Sequence, residues 1–338
     1  MDFREIVRRA IEFDNPPRLP FWQHWSHKMP GFPDDVHNIW EMDRHESGWF
    51  FDTPEAMDDW GCGWSTTELK NMGQVTAFPL ADWSSLPSYR PPNPRNPFYY
   101  ERLGPMIDGA GDRYVCLTAH ALLFSRLTRL RGFENTMLDL HLEPERLGRL
   151  LDMIVDFKLE QCDELRRRFG GRIDGLFVAD DWGTQQGTFI SRKLFDEFFV
   201  PRYRRIFDAV HDCGWHVILH SCGRINDFVP AFIDLGVDVM NMQQSRDYGL
   251  VEFGQAFRGK VCFAATVDIQ TTMPHGSDEE IREEARLLVE HWCTPRGGMI
   301  AFDYGEWEAL GVAPDRPYVM FEEFQRLMHY WQETESRP

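Results

Sequence analysis

From about residue 110 the chain alternates short apolar runs with longer segments whose apolar residues recur every three or four positions. Residues 114–118 have the first character. Residues 145–169 have the second, with Leu147, Leu150, Leu151, Ile154, Val155 and Leu159 on one stripe. Short apolar runs suit strands, and a period of 3.6 suits a helix. Further strands are predicted at 175–179, 215–220, 237–242, 261–267 and 298–302. Helical spacing occupies 194–213 with a break near Pro201, then 225–235, 278 to about 291, and 318–331. Ser277 stands three residues before Glu280, the spacing of a capping box, which predicts a helix start at Asp278.

Strand, helix, strand at this rhythm implies right-handed crossovers and a parallel sheet. Runs apolar on both sides belong to a sheet covered on both faces. Residues 19–22 offer a first strand. The set therefore predicts a (β/α)8 TIM barrel, a single domain over residues 1–338, a length and apolar content that suit this fold. Residues 29–100, rich in Pro, Gly, Trp and Asp, fit the rhythm poorly. They are predicted to be an irregular, aromatic-rich insertion over the barrel mouth. No internal repeat or linker divides the chain.

Charge narrows the partners. Thirty-six Lys and Arg against 54 Asp and Glu give a net charge of -18. Such a field repels phosphate backbones and anionic membranes, so neither nucleic acid nor a membrane is an expected partner. Met1 to Glu5 contains no apolar signal core, and no run approaches about 18 apolar residues; a cytoplasmic location is expected. Seven scattered cysteines do not suggest a disulfide framework. Each is then a small buried apolar residue or a thiolate with a task.

In a barrel of this kind, residues at the C-terminal ends of the strands face the active site. That rule collects Trp22, Gln23 and His24; His120; Asp180, Asp181 and Trp182; His220 to Gly223; Asn241 and Gln243; Asp268; and Asp303, Tyr304 and Glu306. His220 and Cys222 are the sharpest pair. Two residues apart on an extended chain, they share a face, and imidazole and thiolate can converge on zinc at about 2.0 to 2.3 Å. Buried packing of both side chains is the bland alternative. A catalytic zinc takes about three protein ligands. Asp303 is the expected third, with Glu306 as its rival. Cys293 precedes the last strand, at the wrong end of the barrel, and reads as structural.

Asp180 and Asp181 are adjacent carboxylates whose repulsion could raise one pKa into the range of a general acid, although helix capping would also explain them. With His120 and Tyr304 they form the catalytic candidates. Trp22, His24, Trp182, Gln243 and Asp268 are the candidate substrate-binding residues, each with an alternative reading as an ordinary loop or core residue. His24 and His27 could ligate a metal, but a lone loop histidine usually does not. Gly61-Cys62-Gly63 lacks the frame of a phosphate loop, and residues 126–131 read as a solvated helix face.

Several stretches together resemble the uroporphyrinogen decarboxylase superfamily in order and spacing over roughly residues 110–330. They are His220-Ser-Cys-Gly223, Asp234-Leu-Gly-Val-Asp238, Gln243 and Thr266-Val-Asp-Ile-Gln270. Asp180-Asp-Trp-Gly183, Ile190-Ser191, Phe195, Pro201-Arg-Tyr203 and Gly297-Gly298 fit as well, and Pro20-Phe-Trp22 answers to the first strand. One branch of that superfamily decarboxylates uroporphyrinogen and grips its carboxylates with an arginine-rich N-terminal motif. Here the corresponding residues 22–28 contain no arginine. The other branch comprises methyltransferases that work with corrinoid proteins and bind zinc through a His-x-Cys pair and a later cysteine. His220 and Cys222 match the pair, while residues 303–306 contain no cysteine. The resemblance thus implies a zinc-dependent methyltransferase acting between a cobamide, supplied by a corrinoid protein partner, and a small acceptor. A metal-assisted lyase or demethylase acting on a small aromatic or polar substrate is one alternative. A barrel retained only for binding is another. Barrels of this family often pair, so a homodimer is an expectation.

Overall fold

Eight short strands, hydrogen-bonded in parallel in the order of the chain, form the centre of the molecule. They are β1 (Phe21–Trp22), β2 (Val36–Ile39), β3 (Tyr114–Ala121), β4 (Gly175–Ala179), β5 (His216–His220), β6 (Val239–Met242), β7 (Cys262–Ala265) and β8 (Met299–Phe302). Each ladder joins sequence neighbours, and β1 returns to pair with β8 through Phe21 and Ala301. The result is the predicted (β/α)8 barrel. This computed structural model describes residues 2–24, 26–40, 55–65 and 73–335.

Beta-branched, small and aromatic residues explain why the strands close. Val36, Cys116, Ile218, Val239, Cys262 and Ile300 pack together inside. Trp22 meets Phe177 and Phe302 edge-on, at 5.9 and 5.2 Å between ring centres. The N-terminal helix Phe3–Ile11 adds Val7 and Ile11 to this cluster. Its Ala10 carbonyl accepts a 2.8 Å bond from Gly298 N–H. Gly297, at φ +115°, allows the approach, because a Cβ there would come within 2.9 Å of Ala10.

One seam lacks a ladder. Between β1 and β2, Asp35 N–H donates to Phe21 O at 2.8 Å, and its carboxylate accepts the Phe21 N–H at 2.7 Å. Arg18 holds the same carboxylate with two bonds of 2.8 and 2.6 Å. A buried side chain thus completes the hydrogen bonding that a two-residue strand cannot.

The structure departs from the periodicity in two places. β2 lies within the segment predicted to be insertion. Its four residues, Val-His-Asn-Ile, bury only the two ends, so no apolar run marks it. Asn38 is held by a bond from Thr118 Oγ1 at 2.9 Å, and His37 Nε2 meets Met106 O at 3.0 Å. The second departure is the helix Phe124–Arg131, whose arginines are not a solvated face. The insertion contains a three-stranded antiparallel sheet (Glu55–Met57, Gly63–Ser65, Gln74–Ala77) that leans on this helix. Arg126 pairs with Asp58 at 3.3 Å, both fully buried, and stacks 4.6 Å from the centre of the Trp60 ring. Arg131 pairs with Asp139 at 2.7 Å and stacks on Trp83. The described part of the insertion thus packs against this helix, while Trp40 lies beside His24 and Phe177. Residues 41–54 and 66–72 lie outside the described residues.

Other elements follow their local signals. Ser277 Oγ accepts the Glu280 N–H and Glu280 returns the bond to Ser277 N–H, so the capping box starts the helix Asp278–Trp292. Pro201 sits in the first turn of Val200–Asp212, which separates that helix from Arg192–Phe198. Among the described residues, no helix is long and apolar enough to cross a membrane.

Asp35→Asn should lower unfolding stability by about 3 kcal/mol, because Arg18 then keeps a buried charge without its partner. Urea denaturation measures this; an unchanged midpoint would mean that the seam is held by other contacts.

Candidate metal centre

Chain register brings the first three side chains together. β4 and β5 pair Ala179 with His220. Asp181 and Cys222, each two residues further on, therefore stand at the same height on adjacent strands. Beyond them the two main chains touch. Gly223 has φ +80°, and a Cβ there would lie 2.2 Å from the Gly183 carbonyl carbon and oxygen. No other residue fits this turn. Trp182 N–H donates to Ser221 Oγ at 3.1 Å, Gly223 N–H to Gln244 Oε1 at 2.6 Å, and Cys222 N–H to Asp181 Oδ1 at 2.8 Å.

The outcome is a compact nitrogen, sulfur and oxygen set. His220 Nε2 lies 3.2 Å from Cys222 Sγ and 3.6 Å from Asp181 Oδ1. One donor atom from each of Asp181, His220 and Cys222 lies within 4.8 Å of the other two, and no other such group occurs among the described residues. On its far side, His220 Nδ1 faces Asn241 Oδ1 at 2.9 Å and Asn241 O at 3.2 Å. Burial, with the neighbouring Asp181 carboxylate, pushes the Cys222 thiol pKa well above its ordinary value. A cation among these groups acts in the opposite sense, favouring the thiolate.

The structure groups Asp181, not the expected Asp303, with His220 and Cys222. Asp303 is fully buried beyond β8, and its lone pairs are already engaged. Its Oδ2 accepts from His27 Nδ1 at 2.9 Å and His24 N–H at 3.3 Å, and its Oδ1 from Trp307 Nε1 at 2.8 Å. Barrel order explains the difference: β4 is hydrogen-bonded to β5, whereas β8 is three strands away. Glu306, on the same loop as Asp303, is not part of the group.

Asp180 is a second correction. It points away from Asp181 into the helical layer, where its carboxylate accepts the N–H groups of Leu123, Phe124 and Ser125 and the Tyr203 hydroxyl. Burial raises its pKa and these four donors oppose the rise; the carboxylate anchors the start of helix Phe124–Arg131. Trp182 and Asp268 also leave the list of substrate contacts. Trp182 is fully buried between helices, 4.1 Å from the Phe124 ring, with its indole N–H donating to Tyr203 at 2.9 Å. Asp268 closes its own turn, accepting from Gln270 N–H, Thr271 N–H and the Thr271 hydroxyl.

The remaining candidates surround the mouth. Trp22 forms its floor beside Phe177, which stacks on His220 at 6.3 Å. His24 lies across the mouth, 5.8 Å from the Trp40 ring, and burial lowers its pKa to about 4. Gln243 donates to Asn241 Oδ1 at 3.0 Å and so reaches His220 through that residue. The Tyr304 phenol is held above its usual pKa by burial, with the charges of Glu306 and Cys222 adding to the effect. His120 lies in β3, past the irregular register after Thr118, and its side chain lies outside the described residues. Cys293 is buried at the start of the turn into β8, at the far end of the barrel. Asp181 as the neighbour of His220 and Cys222, Asn241 as a partner of His220 and His27 as a partner of Asp303 all escape a reading by strand ends alone. For Asp181 a signal existed, namely the equal offset of Asp181 and Cys222 from the ends of neighbouring strands.

Asp180→Ala should cost about 3 kcal/mol by leaving three N–H groups and a hydroxyl without their acceptor, whereas Asp181→Ala should stay within about 0.5 kcal/mol of wild type. Equal losses in the two variants would contradict the division of roles. The bond to Asp303 raises the His27 pKa. Its stabilisation is therefore complete below the unfolded value of about 6.5 and is lost as pH rises through the folded value. The stability advantage of wild type over His27→Gln should be larger near pH 5.5 than near pH 8.5; denaturation at both values decides.

Comparisons with known proteins agree with this architecture. In a search of solved structures, the chain is similar to a methyltransferase from Methanosarcina mazei, with a TM-score of 0.68 and 14% identity, over 97% of this chain and 99% of that one. At that identity the likeness is one of fold. Partial overlaps occur with a Schiff-base-forming fructose-1,6-bisphosphate aldolase (TM-score 0.30, 14% identity, 46% of this chain and 58% of that one). An archaeal fructose 1,6-bisphosphate aldolase overlaps to a similar extent (TM-score 0.29, 12% identity, 48% and 59%). No curated protein sequence matches the chain. The profile of uroporphyrinogen decarboxylase (URO-D) matches residues 50–303, most of the chain and all but one of the strand ends that carry polar groups. The chain belongs to the uroporphyrinogen decarboxylase (URO-D) family.

Proposed function

We propose that this protein is a zinc-dependent methyltransferase that moves a methyl group between a cobamide, presented by a corrinoid protein, and a small thiol acceptor. The observation that carries the reading is the donor set itself. One imidazole nitrogen, one sulfur and one carboxylate oxygen converge within 4.8 Å at the mouth of a barrel. Borderline-soft Zn2+ suits such a mixed set, and three protein donors leave a fourth position for an acceptor. His220 Nε2, Cys222 Sγ and an Asp181 oxygen would hold the ion. When bound, zinc supplies the positive charge that keeps a thiol as thiolate at neutral pH.

The residues of the chain do the rest. Asp181 keeps 52% of its side chain in solvent, so the open side of the donor set faces the entrance. Trp22, Phe177 and Phe302 form a dry floor, which strengthens the electrostatics above it. Tyr304, still protonated, can donate a hydrogen bond on the Cys222 side of the mouth.

Two observations support this reading over its rivals. Residues 22–28 contain no arginine and the net charge is -18, so a polyacidic tetrapyrrole would find few cations. Of the insertion aromatics that suggested a flat substrate, Trp60, Trp64 and Trp83 instead stack on Arg126, Arg129 and Arg131.

Protein purified without chelators should contain about one zinc per chain. Alanine at Asp181, His220 or Cys222 should reduce that content, while Asp303→Ala should not. Methylation of a thiol by methylcobalamin should fall by at least about 100-fold in Cys222→Ala, beyond the loss typical of outer-shell changes. Metal-free wild-type protein from such a preparation would sink the proposal. Loss of metal in Asp303→Ala with retention in Asp181→Ala would move the site.

A further inference from the structure

We propose that Asn241 is a positioning residue that locks His220 in the Nδ1–H tautomer and so directs the Nε2 lone pair at the metal. The second half of this statement rests on the zinc reading above; the first does not.

Asn241 is the third residue of β6 and pairs in register with His220 of β5. Its side chain is fully buried in the barrel wall, where an amide is costly unless every polar atom is satisfied. The orientation of that amide follows from its neighbours. Asn241 Nδ2 lies 3.1 Å from Ala264 O on β7, and a main-chain carbonyl can only accept. Nitrogen must therefore face β7 and oxygen must face His220, since the flipped amide would set two acceptors against each other. Gln243 Nε2, 3.0 Å away, donates to the same Oδ1 and holds it in place.

His220 Nδ1 then meets acceptors only: Asn241 Oδ1 at 2.9 Å and Asn241 O at 3.2 Å. It must carry the proton. In a neutral ring, the lone pair is left on Nε2, the atom 3.2 Å from Cys222 Sγ and 3.6 Å from Asp181 Oδ1. The orienting group here is a neutral amide. A carboxylate in its place would add a third negative charge beside the Cys222 thiolate and the Asp181 carboxylate, and the excess would weaken a divalent ion's ability to acidify a bound thiol. Asn241 orients the ligand without adding charge.

The test has a metal-free arm and a metal arm. In metal-free protein labelled with nitrogen-15 histidine, two-bond nitrogen–proton correlations at about pH 8 report each ring's tautomer. His220 is assigned by the signal lost in His220→Gln. Wild type should show the Nδ1–H form alone, and Asn241→Leu a mixture with the Nε2–H form. Wild-type His220 in the Nε2–H form overturns the proposal whether or not any variant folds, and so does an unchanged pattern in Asn241→Leu. In the second arm, zinc and cobalt(II) are titrated against both proteins. Asn241→Leu should bind about tenfold more weakly and shift the cobalt–thiolate charge-transfer band, because the main-chain oxygen only partly replaces Oδ1. Equal affinity and an unmoved band overturn the metal half of the proposal. A wild type that binds neither ion, with the tautomer intact in the first arm, overturns the zinc reading instead.

Discussion

The contact between Gly183 and Gly223 sets the geometry on which the site depends. A Cβ on Gly223 would sit 2.2 Å from the opposing carbonyl and one on Gly183 3.0 Å from the Gly223 carbonyl carbon, so the two loops meet this closely only with glycine at 223 and little room at 183. That approach presses the turn after β5 against the turn after β4. It brings Cys222 N–H to Asp181, and with it the sulfur, the imidazole and the carboxylate into one cluster. The parallel ladder supplies the height, the glycines supply the closeness, and Asn241 supplies the orientation of the ring.

Aspartates divide by burial into two kinds of work. Asp35, Asp180, Asp268 and Asp303 are buried, and each is occupied by donors fixed in the fold: backbone N–H groups, Arg18, the Tyr203 and Thr271 hydroxyls, or the His27 and Trp307 ring nitrogens. These carboxylates replace hydrogen bonds that short strands and abrupt helix starts leave unmade. Asp181 is the exception. Half exposed, it accepts the Cys222 N–H and, among the described residues, faces only the His220 and Cys222 side chains, so its outer side is open to solvent. Adjacent in sequence, Asp180 and Asp181 point to opposite faces of one extended segment, so their shared composition conceals opposite roles.

The insertion follows the same economy of burial. Trp60, Trp64 and Trp83 lie under arginine guanidinium groups of the helix Phe124–Arg131, which desolvates both and leaves the ion pair of Asp58 with Arg126 fully buried. A helix that looks fully solvated on its own is thereby half interior. At the mouth of the barrel, Trp22, His24, Trp40 and Phe177 form a chain of ring contacts that reaches His220.

Local periodicity by itself determined the barrel, seven of its eight strands, the capping box at Ser277 and the His220–Cys222 pair. These depend on spacing along one segment, which the chain carries in its own order. β2 was not legible, since four residues with a polar centre leave no repeat to detect. The third donor was not legible either: the choice between Asp181 and Asp303 depends on which strand lies beside β5, a relation between segments about forty residues apart in one case and eighty in the other. Tertiary structure alone decided that Asp180 is an anchor, that Trp182 is core, and that Asn241 meets the Nδ1 of His220. Which of several similar side chains meets solvent, a helix start or an imidazole is set by packing between strands, and packing has no period.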